Sequence, residues 1–196
     1  MAIINKNKLY PVFLKLEQLE LLLVGAGNVG LEKLNSLLSN SPEAMITVVA
    51  PCVKDEVKQL LLDHPSCVLL QRPFEEADLE NKNLIILVTD DEELHKRIKI
   101  LAEERRIPVN VADTPGLCDF YLGSIVQKGN LKIAISTNGK SPTLAKRIRE
   151  LLENTLPEEM DELLSNLNLI RNKMTGDFAD KVRQLNELTK SLAEKE

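Results

Sequence analysis

The sequence predicts an α/β fold in which a doubly wound parallel sheet is followed by a smaller appended region. Short apolar runs alternate with amphipathic segments from Leu21 to about Asn110, as in consecutive βαβ units. The runs are rich in Leu, Ile and Val, which suits strands buried on both faces. A glycine-rich turn follows the first run. A chain of 196 residues is long enough for one such domain and a smaller unit.

Five apolar runs have the length of buried strands. They are Leu21 to Val24, Ile46 to Ala50, Val68 to Leu70, Leu84 to Val88 and Val109 to Val111. Between them, apolar residues recur at helical spacing. These are Leu34, Leu37 and Leu38, then Val57, Leu60 and Leu61, then Leu94, Ile98 and Leu101. Right-handed crossovers between the strands give an open, doubly wound sheet.

The alternation of apolar runs and amphipathic segments ends after Asp113. Ser124 to Val126 and Leu131 to Ser136 predict two strands joined by a tight connection. Ser141 and Pro142 then predict a helix with a capping residue and a proline at its first position, ending at Pro157. Its apolar face carries four residues, Leu144, Ile148, Leu151 and Leu152.

The last segment predicts amphipathic helices that are broken near Gly176. Its apolar residues are Leu163, Leu167, Ile170, Met174, Phe178, Val182, Leu185 and Leu192. Such a stripe cannot be buried by the segment alone, so we expect it to pack on the main domain or on a second subunit.

Composition excludes several classes of protein. No apolar run approaches the roughly 20 residues that a membrane span needs, and the net charge of −5 argues against nucleic-acid or anionic-membrane binding. The N-terminus lacks the features of a secretory signal, which predicts a cytoplasmic protein. Three cysteines without C-x-x-C spacing and two histidines predict reduced thiols and no metal site.

Gly25, Gly27 and Gly30 form a G-x-G-x-x-G turn directly after a strand and before a helix. In a Rossmann fold these glycines make the tight turn, admit a diphosphate and let helix pack on strand. The diphosphate then accepts free backbone N–H groups at the positive end of the helix dipole. We therefore predict dinucleotide binding here, and the alternative is a glycine turn without a ligand. The expected cofactor-binding residues of the turn are Gly25, Ala26, Gly27, Asn28, Val29 and Gly30.

The second strand lacks the acidic residue that usually binds the ribose hydroxyls. It ends in Ala50, Pro51 and Cys52, without an arginine or lysine to favour a 2′-phosphate. Backbone groups around Pro51 and Cys52 are therefore expected to hold the ribose of NAD rather than of NADP. Thr89 and Asp90 follow the fourth strand and are predicted to face the ligand crevice, with a helix cap as the alternative.

Sequence blocks along nearly the whole chain resemble the precorrin-2 dehydrogenase (siroheme synthase) family. They are Tyr10 to Leu14, Val24 to Val29, Thr47 to Pro51, Thr89 to Asp91, Val109 to Asp113 and Ile135 to Pro142. The Ser-Thr-x-Gly-x-Ser-Pro-x-x-Ala block, which ends at Ala145, is the most specific.

The resemblance implies NAD-dependent oxidation of precorrin-2 to sirohydrochlorin, toward siroheme or cobalamin, and some members also insert ferrous iron. It also implies a homodimer. The chain would then divide into a Rossmann-type NAD-binding domain (1–112), a small dimerisation and active-site region (113–145) and a C-terminal helical region (146–196).

The family's catalytic aspartate corresponds to Asp113, which could accept a proton from the tetrapyrrole or serve metal insertion. On sequence alone, the favoured interpretation of Asp113 is a turn or capping aspartate before Thr114 and Pro115, and the resemblance reverses that preference. Asn110 is expected to contact the cofactor. His95 replaces an asparagine of many relatives, and we expect it on a helix surface rather than at a metal.

Precorrin-2 carries many carboxylates, so its site should offer cations and hydrogen-bond donors. The predicted substrate-binding residues are Ser136, Thr137, Lys140, Lys146, Arg147 and Arg149. A solvated helix face is the alternative for the charged ones. Two other functions stay open, a non-catalytic NAD sensor and an NAD-dependent dehydrogenase for another substrate. A sensor would need neither Asp113 nor the block from Ser136 to Pro142.

Overall fold

The structure is a computed structural model that describes residues 7–175 and 177–190. It divides into two compact units, the first ending at Leu122 and the second beginning at Gly123. This boundary lies within the predicted dimerisation region, and the three-region division stays a prediction. The two units are described separately below.

The first unit is built on a five-stranded parallel sheet in the order β3-β2-β1-β4-β5. Its strands are β1 (Glu20–Ala26), β2 (Met45–Val53), β3 (Cys67–Leu70), β4 (Leu84–Leu87) and β5 (Val109–Val111). The order runs outward from β1 in both directions, which is the doubly wound arrangement. The predicted Rossmann-type α/β fold is confirmed.

Three helices cover the sheet on both faces. They are α1 (Asn28–Asn40), α2 (Asp55–Leu62) and α3 (Glu92–Glu104), and short 3-10 turns lie at Leu16–Gln18, Glu76–Leu79 and Pro115–Leu117. Leu21 and Leu23 of β1 pack with the buried residues of α1 and α2, whereas Leu22 and Val24 pack with those of α3. This alternation follows from the two-residue period of a strand and buries β1 and β4 at the centre of the sheet on both faces.

Strand β2 is longer than the sequence predicts. The apolar run ends at Ala50, but the strand continues to Val53, whose Cα is paired with that of Ala26 beyond an irregularity in the ladder. Backbone pairing with β1 holds these last residues, although Pro51 and Cys52 are exposed. The end of β2 therefore lies beside the glycine turn.

The expectation that His95 lies on a helix surface is wrong. Only 3% of His95 is exposed, and it shares the buried face of α3 with Ile98 and Ala102. These residues are three and seven positions apart, the spacing of one helix face. A polar ring in that stripe must find a hydrogen-bond partner.

The second unit begins with the predicted pair of antiparallel strands, β6 (Ser124–Lys128) and β7 (Leu131–Ile135). Three helices follow, α4 (Pro142–Thr155), α5 (Met160–Lys173) and α6 (Phe178–Leu188). Ser141 caps α4 as predicted, because its Oγ accepts a hydrogen bond from the N–H of Leu144 at 3.1 Å. The predicted break falls between α5 and α6, while Gly176 and Leu192 lie outside the described residues.

Candidate functional site

The carboxyl ends of the parallel strands form one edge of the sheet, where doubly wound folds bind their ligands. The strand order reverses between β1 and β4, so the crevice opens above these two strands. The glycine turn begins in the last two residues of β1, and Thr89 follows β4 with one residue between. Asp113 follows β5 in the same way. The fold therefore brings these predicted site residues of the first unit to one edge.

Gly25 and Gly30 are required by the shape of the turn. Gly25 has φ of +112°, and a Cβ there would lie 3.0 Å from Cγ2 of Thr89 and from the backbone of Val88. A Cβ on Gly30 would lie 2.6 Å from the carbonyl oxygen of Gly25. Both glycines let β1, β4 and α1 approach more closely than a side chain permits.

Gly27 differs because no atom lies within 4 Å of where its Cβ would be. It precedes α1, and no side chain caps the helix at this end. The first N–H groups of a helix have no partner within it, and the helix dipole makes this end positive. Open space beside uncapped N–H groups fits the diphosphate of a dinucleotide. The residues present therefore fit this cofactor.

The end of β2 supplies a cation that the sequence analysis missed. The N–H of Lys54 donates to the carbonyl oxygen of Ala26 at 3.1 Å, so the chain remains beside the turn. Nζ of Lys54 donates to Oδ1 of Asn28 at 2.8 Å. The statement that no lysine stands at the end of this strand is therefore wrong, because the strand was predicted to end too early.

Thr89 and His95 form a polar pair under the crevice. Oγ1 of Thr89 lies 2.8 Å from Nε2 of His95 and also accepts a hydrogen bond from the N–H of Asp91 at 3.3 Å. Burial lowers the pKa of His95, although Asp91, Glu92 and Asp90 act in the opposite direction. The imidazole is therefore neutral at pH 7. Asp91 is the cap of α3, since its Oδ1 accepts from the N–H of Leu94 at 2.9 Å.

Asp113 has a left-handed backbone with φ of +57° and is exposed. Aspartate tolerates this conformation better than most residues, yet it carries a cost in free energy. No described residue donates a hydrogen bond to its carboxylate, and Thr114, not Asp113, precedes the 3-10 turn that begins at Pro115. The capping alternative therefore has no contact to support it, and the carboxylate faces solvent.

Asn110 points into the first unit. It is 7% exposed, and its Nδ2 donates to the carbonyl oxygen of Phe120 at 2.8 Å. This bond ties β5 to the segment that follows it. Contact of Asn110 with the cofactor stays a prediction. Asp90, next to Thr89, is exposed, and its predicted contact with the cofactor also stays a prediction.

In the second unit, the predicted substrate-binding residues lie on the turn before α4 and on α4 itself. Thr137 Oγ1 accepts from the N–H of Ser141 at 3.2 Å and donates to its carbonyl oxygen at 3.1 Å. The Lys140 N–H donates to the carbonyl oxygen of Thr137 at 3.1 Å and closes a tight turn. Ser136 Oγ accepts from the N–H of Asn138 at 3.2 Å. The block thus forms a hydrogen-bonded connection from β7 to α4.

The cations of α4 lie next to carboxylates of the same helix. Arg147 is 2.7 Å and Lys146 is 4.0 Å from Glu150, and Nε of Arg149 is 3.5 Å from Glu153. Arg147 and Lys146 are largely exposed, so these pairs contribute little to stability and leave both side chains accessible.

Three further findings concern the described residues as a whole. Residues 7–175 and 177–190 contain no group of three or more His, Cys, Asp or Glu side chains that could hold a metal ion. Cys52, Cys67 and Cys118 are free thiols. Within this part of the chain, no helix combines the length and apolar character that crossing a bilayer requires.

The fold and the glycine turn define a nicotinamide dinucleotide-binding protein of the Rossmann class. A family profile described as putative NAD(P)-binding matches residues 12–124, and one described as sirohaem biosynthesis protein central matches residues 128–155. The predicted cofactor class is confirmed.

Relatives agree with these profiles. Siroheme synthase of Psychrobacter arcticus is 39% identical over 174 residues, which are 89% of this chain and 30% of that protein. Siroheme synthase of Ruthia magnifica is 35% identical over 89% of this chain and 34% of its own length. This chain therefore spans about a third of the length of these curated relatives.

A solved structure covers the chain more evenly. SirC, a precorrin-2 dehydrogenase, superposes with a TM-score of 0.73 and 28% identity, over 92% of this chain and 89% of its own. The chain belongs to the family described as putative NAD(P)-binding, and it is similar to siroheme synthases and to a precorrin-2 dehydrogenase.

Proposed function

We propose that this protein oxidises precorrin-2 to sirohydrochlorin with NAD as the oxidant. The observation that carries the proposal is the match to a precorrin-2 dehydrogenase along nearly the full length of both chains. The site supports it, because the glycine turn fits a dinucleotide and an unpaired carboxylate, that of Asp113, lies along the same edge of the sheet. A sensor of NAD would not need that carboxylate.

NAD, when bound, supplies the two-electron acceptor of the reaction. The N–H groups at the start of α1 would hold its diphosphate, and Gly27 would leave room for it. The Cγ2 methyl group of Thr89 lies next to Gly25, and its hydroxyl oxygen lies 2.8 Å from Nε2 of His95. Pro51 and Cys52 would border the ribose. These residues bind and orient the cofactor and take no part in proton transfer.

Asp113 would accept the proton that the tetrapyrrole loses as it is oxidised. The reaction removes two electrons from precorrin-2, and a proton must leave the substrate for the new double bond to form. An exposed carboxylate without an internal partner is available as a base. Asp113 has a left-handed backbone and lies two residues beyond the end of β5.

The substrate's carboxylates would be held by the second unit. Lys140, Lys146, Arg147 and Arg149 supply positive charge, and Arg147 is able to exchange Glu150 for a substrate carboxylate. Ser136 and Thr137 supply hydroxyl groups. We propose the block from Ser136 to Arg149 as the substrate-binding part of the protein.

Asp113→Asn tests the proposed base. Asparagine also tolerates a left-handed backbone, so the variant should keep the fold and the affinity for NAD. Oxidation of precorrin-2 should slow by roughly 100-fold or more, the usual contribution of a positioned base. Stopped-flow measurement of NADH formation at saturating NAD is the readout.

Asp63→Asn is the matched control, because Asp63 is an exposed carboxylate that follows α2. It should oxidise precorrin-2 at the wild-type rate. Undiminished turnover by Asp113→Asn would remove Asp113 from the mechanism, and turnover lost equally in both variants would do the same.

The family relationship supports three further proposals. We propose that the protein acts as a homodimer in the cytoplasm. We also propose ferrous iron as a second substrate, inserted into sirohydrochlorin to give siroheme, because the named relatives are siroheme synthases. Enzyme-accelerated siroheme formation after addition of ferrous iron tests the last of these, and a rate equal to that of a protein-free control would reject it.

A further inference from the structure

Lys54 lies where a Rossmann fold distinguishes NAD from NADP. The residue at the end of the second strand faces the ribose of the adenosine, where an acidic side chain binds the hydroxyls of NAD and a cation accepts the 2′-phosphate of NADP. In this protein the strand ends at Val53, and Lys54 is the next residue. Its backbone N–H is hydrogen-bonded to Ala26 inside the glycine turn.

The Lys54 side chain is held at that position from two sides. Its Nζ donates to Oδ1 of Asn28 at 2.8 Å and lies 3.3 Å from the carboxylate of Glu56. An ammonium group has three N–H donors, so one remains for a ligand. The side chain is 35% exposed, so part of it is accessible to a ligand from solvent.

We propose that Lys54 is a specificity-determining residue that binds the 2′-phosphate of NADP, and that Glu56 competes with this phosphate for the ammonium group. The protein would then accept both NAD and NADP. This inference rests on the proposed function only for the presence of the dinucleotide site.

Glu56 is suited to that competition. A hydrogen bond with its own backbone, followed by the contact with Lys54, lowers the pKa of Glu56, so it is charged at neutral pH. Its side chain is 61% exposed and free to move aside for a ligand. Removing its charge should therefore favour a dianionic phosphate next to Lys54.

The experiment is calorimetric titration of the full-length protein with NAD and with NADP, at low and at high ionic strength. Wild-type protein should bind both, with NADP binding falling more steeply as salt is added. Lys54→Gln should weaken NADP binding by roughly tenfold and NAD binding by less than about threefold, because only NADP carries the phosphate. Glu56→Gln should tighten NADP binding and leave NAD binding nearly unchanged.

Matched controls are available nearby, because Lys58 lies four residues after Lys54 and Asp55 lies next to Glu56 in the sequence. Lys58 pairs with Asp55 at 3.1 Å on the exposed side of α2, in the same sequence segment. Lys58→Gln and Asp55→Asn remove the same charges and should leave both affinities as in wild type. Thermal unfolding of each variant checks that the fold is retained.

Each result has a distinct meaning. If Lys54→Gln lowers the affinities for NAD and for NADP equally, Lys54 only supports the turn and the proposal is overturned. Wild-type protein that binds NAD but not NADP would also overturn it. Either result leaves the proposed NAD-dependent oxidation standing. Wild-type protein that binds neither dinucleotide would instead contradict the cofactor site itself.

Discussion

The two units of this protein differ in how completely they bury their own apolar residues. The first unit surrounds its sheet with helices, and residues such as Leu22, Leu34 and Ile86 are fully buried. In the described part of the second unit, only Val126 and Ala145 are buried apolar residues. Leu144 and Leu151 on α4, by contrast, are 53% and 63% exposed. Burial of apolar area drives folding and association, so the second unit retains surface for association.

The two units also differ in their proposed roles, which are cofactor binding for the first unit and substrate binding for the second. The first unit carries the glycine turn on β1, a strand buried at the centre of the sheet, and sites of this kind need fixed geometry. The second unit carries the cations that would meet the substrate. The proposed cofactor site can thus be recognised within one unit, whereas the proposed substrate site includes side chains, such as Arg147, that the described chain leaves exposed.

Gly27→Asp should have the largest effect on the first unit's function and almost none on its stability. A side chain fits at Gly27 without meeting any neighbour, but it would fill the space of the diphosphate and add a negative charge. We expect NAD affinity to fall by roughly 100-fold or more, measured by calorimetry. Unchanged affinity would show that the dinucleotide does not bind at this turn.

Leu34→Ala should produce the largest loss of stability. Leu34 on α1 is fully buried against the sheet, so the substitution leaves a cavity. The free energy of unfolding should fall by about 2–5 kcal/mol in chemical denaturation. Leu62→Ala, at a leucine that is 75% exposed on α2, should cost little. Equal losses for the two variants would contradict the core described for the first unit.

Leu151→Ala tests whether the open face of α4 is covered in a dimer. Leu151 and Leu62 are similarly exposed, but only Leu151 lies in the unit that lacks a core of its own. Leu151→Ala should weaken self-association by about 1–2 kcal/mol, measured by analytical ultracentrifugation, while Leu62→Ala leaves it unchanged. Dimers of wild-type strength for Leu151→Ala would exclude this face from the interface.

His95→Asn should give the smallest effect, a change in how stability depends on pH. Burial lowers the pKa of His95 in the folded protein, so the unfolded chain binds the proton more readily. The neutral ring's contribution to the free energy of unfolding is fully present above the pKa of histidine in the unfolded chain, about 6.5. It is lost as the pH falls through the pKa of His95 in the folded protein. His95→Asn should remove this acid-side loss in thermal unfolding between pH 7 and the acid range. An unchanged pH profile would mean that His95 is not the titrating group.

Regular periodicity made most of the first unit predictable from sequence. All five strands lie where apolar runs of Leu, Ile and Val occur, and β5 has the predicted bounds. Two predictions were wrong, the absence of a lysine at the end of β2 and the surface position of His95. Both Lys54 and His95 are polar residues whose positions depend on contacts with other elements of the fold. The backbone ladder with β1 extends β2 past its apolar run, and a threonine partner allows a histidine to be buried in α3. Spacing with Ile98 and Ala102 was the one available signal for His95.

The second unit was predictable in its elements but not in its packing. The capping serine and the proline located α4, and the turn residues located the strand pair. Periodicity identified an apolar face on α4 that includes Leu144, yet the structure leaves Leu144 exposed and buries Ala145. A stripe in the sequence shows that a helix has an apolar side, and only a partner surface decides whether that side is covered.

The central claim is tested most directly by following precorrin-2 and NAD with the wild-type protein under anaerobic conditions in one spectrophotometer cell. We predict that sirohydrochlorin and NADH appear together, in equal amounts and at a rate set by the protein concentration. Folded protein that binds NAD but forms neither product, with NAD or with NADP, would contradict the proposed dehydrogenase and favour a sensor or another substrate.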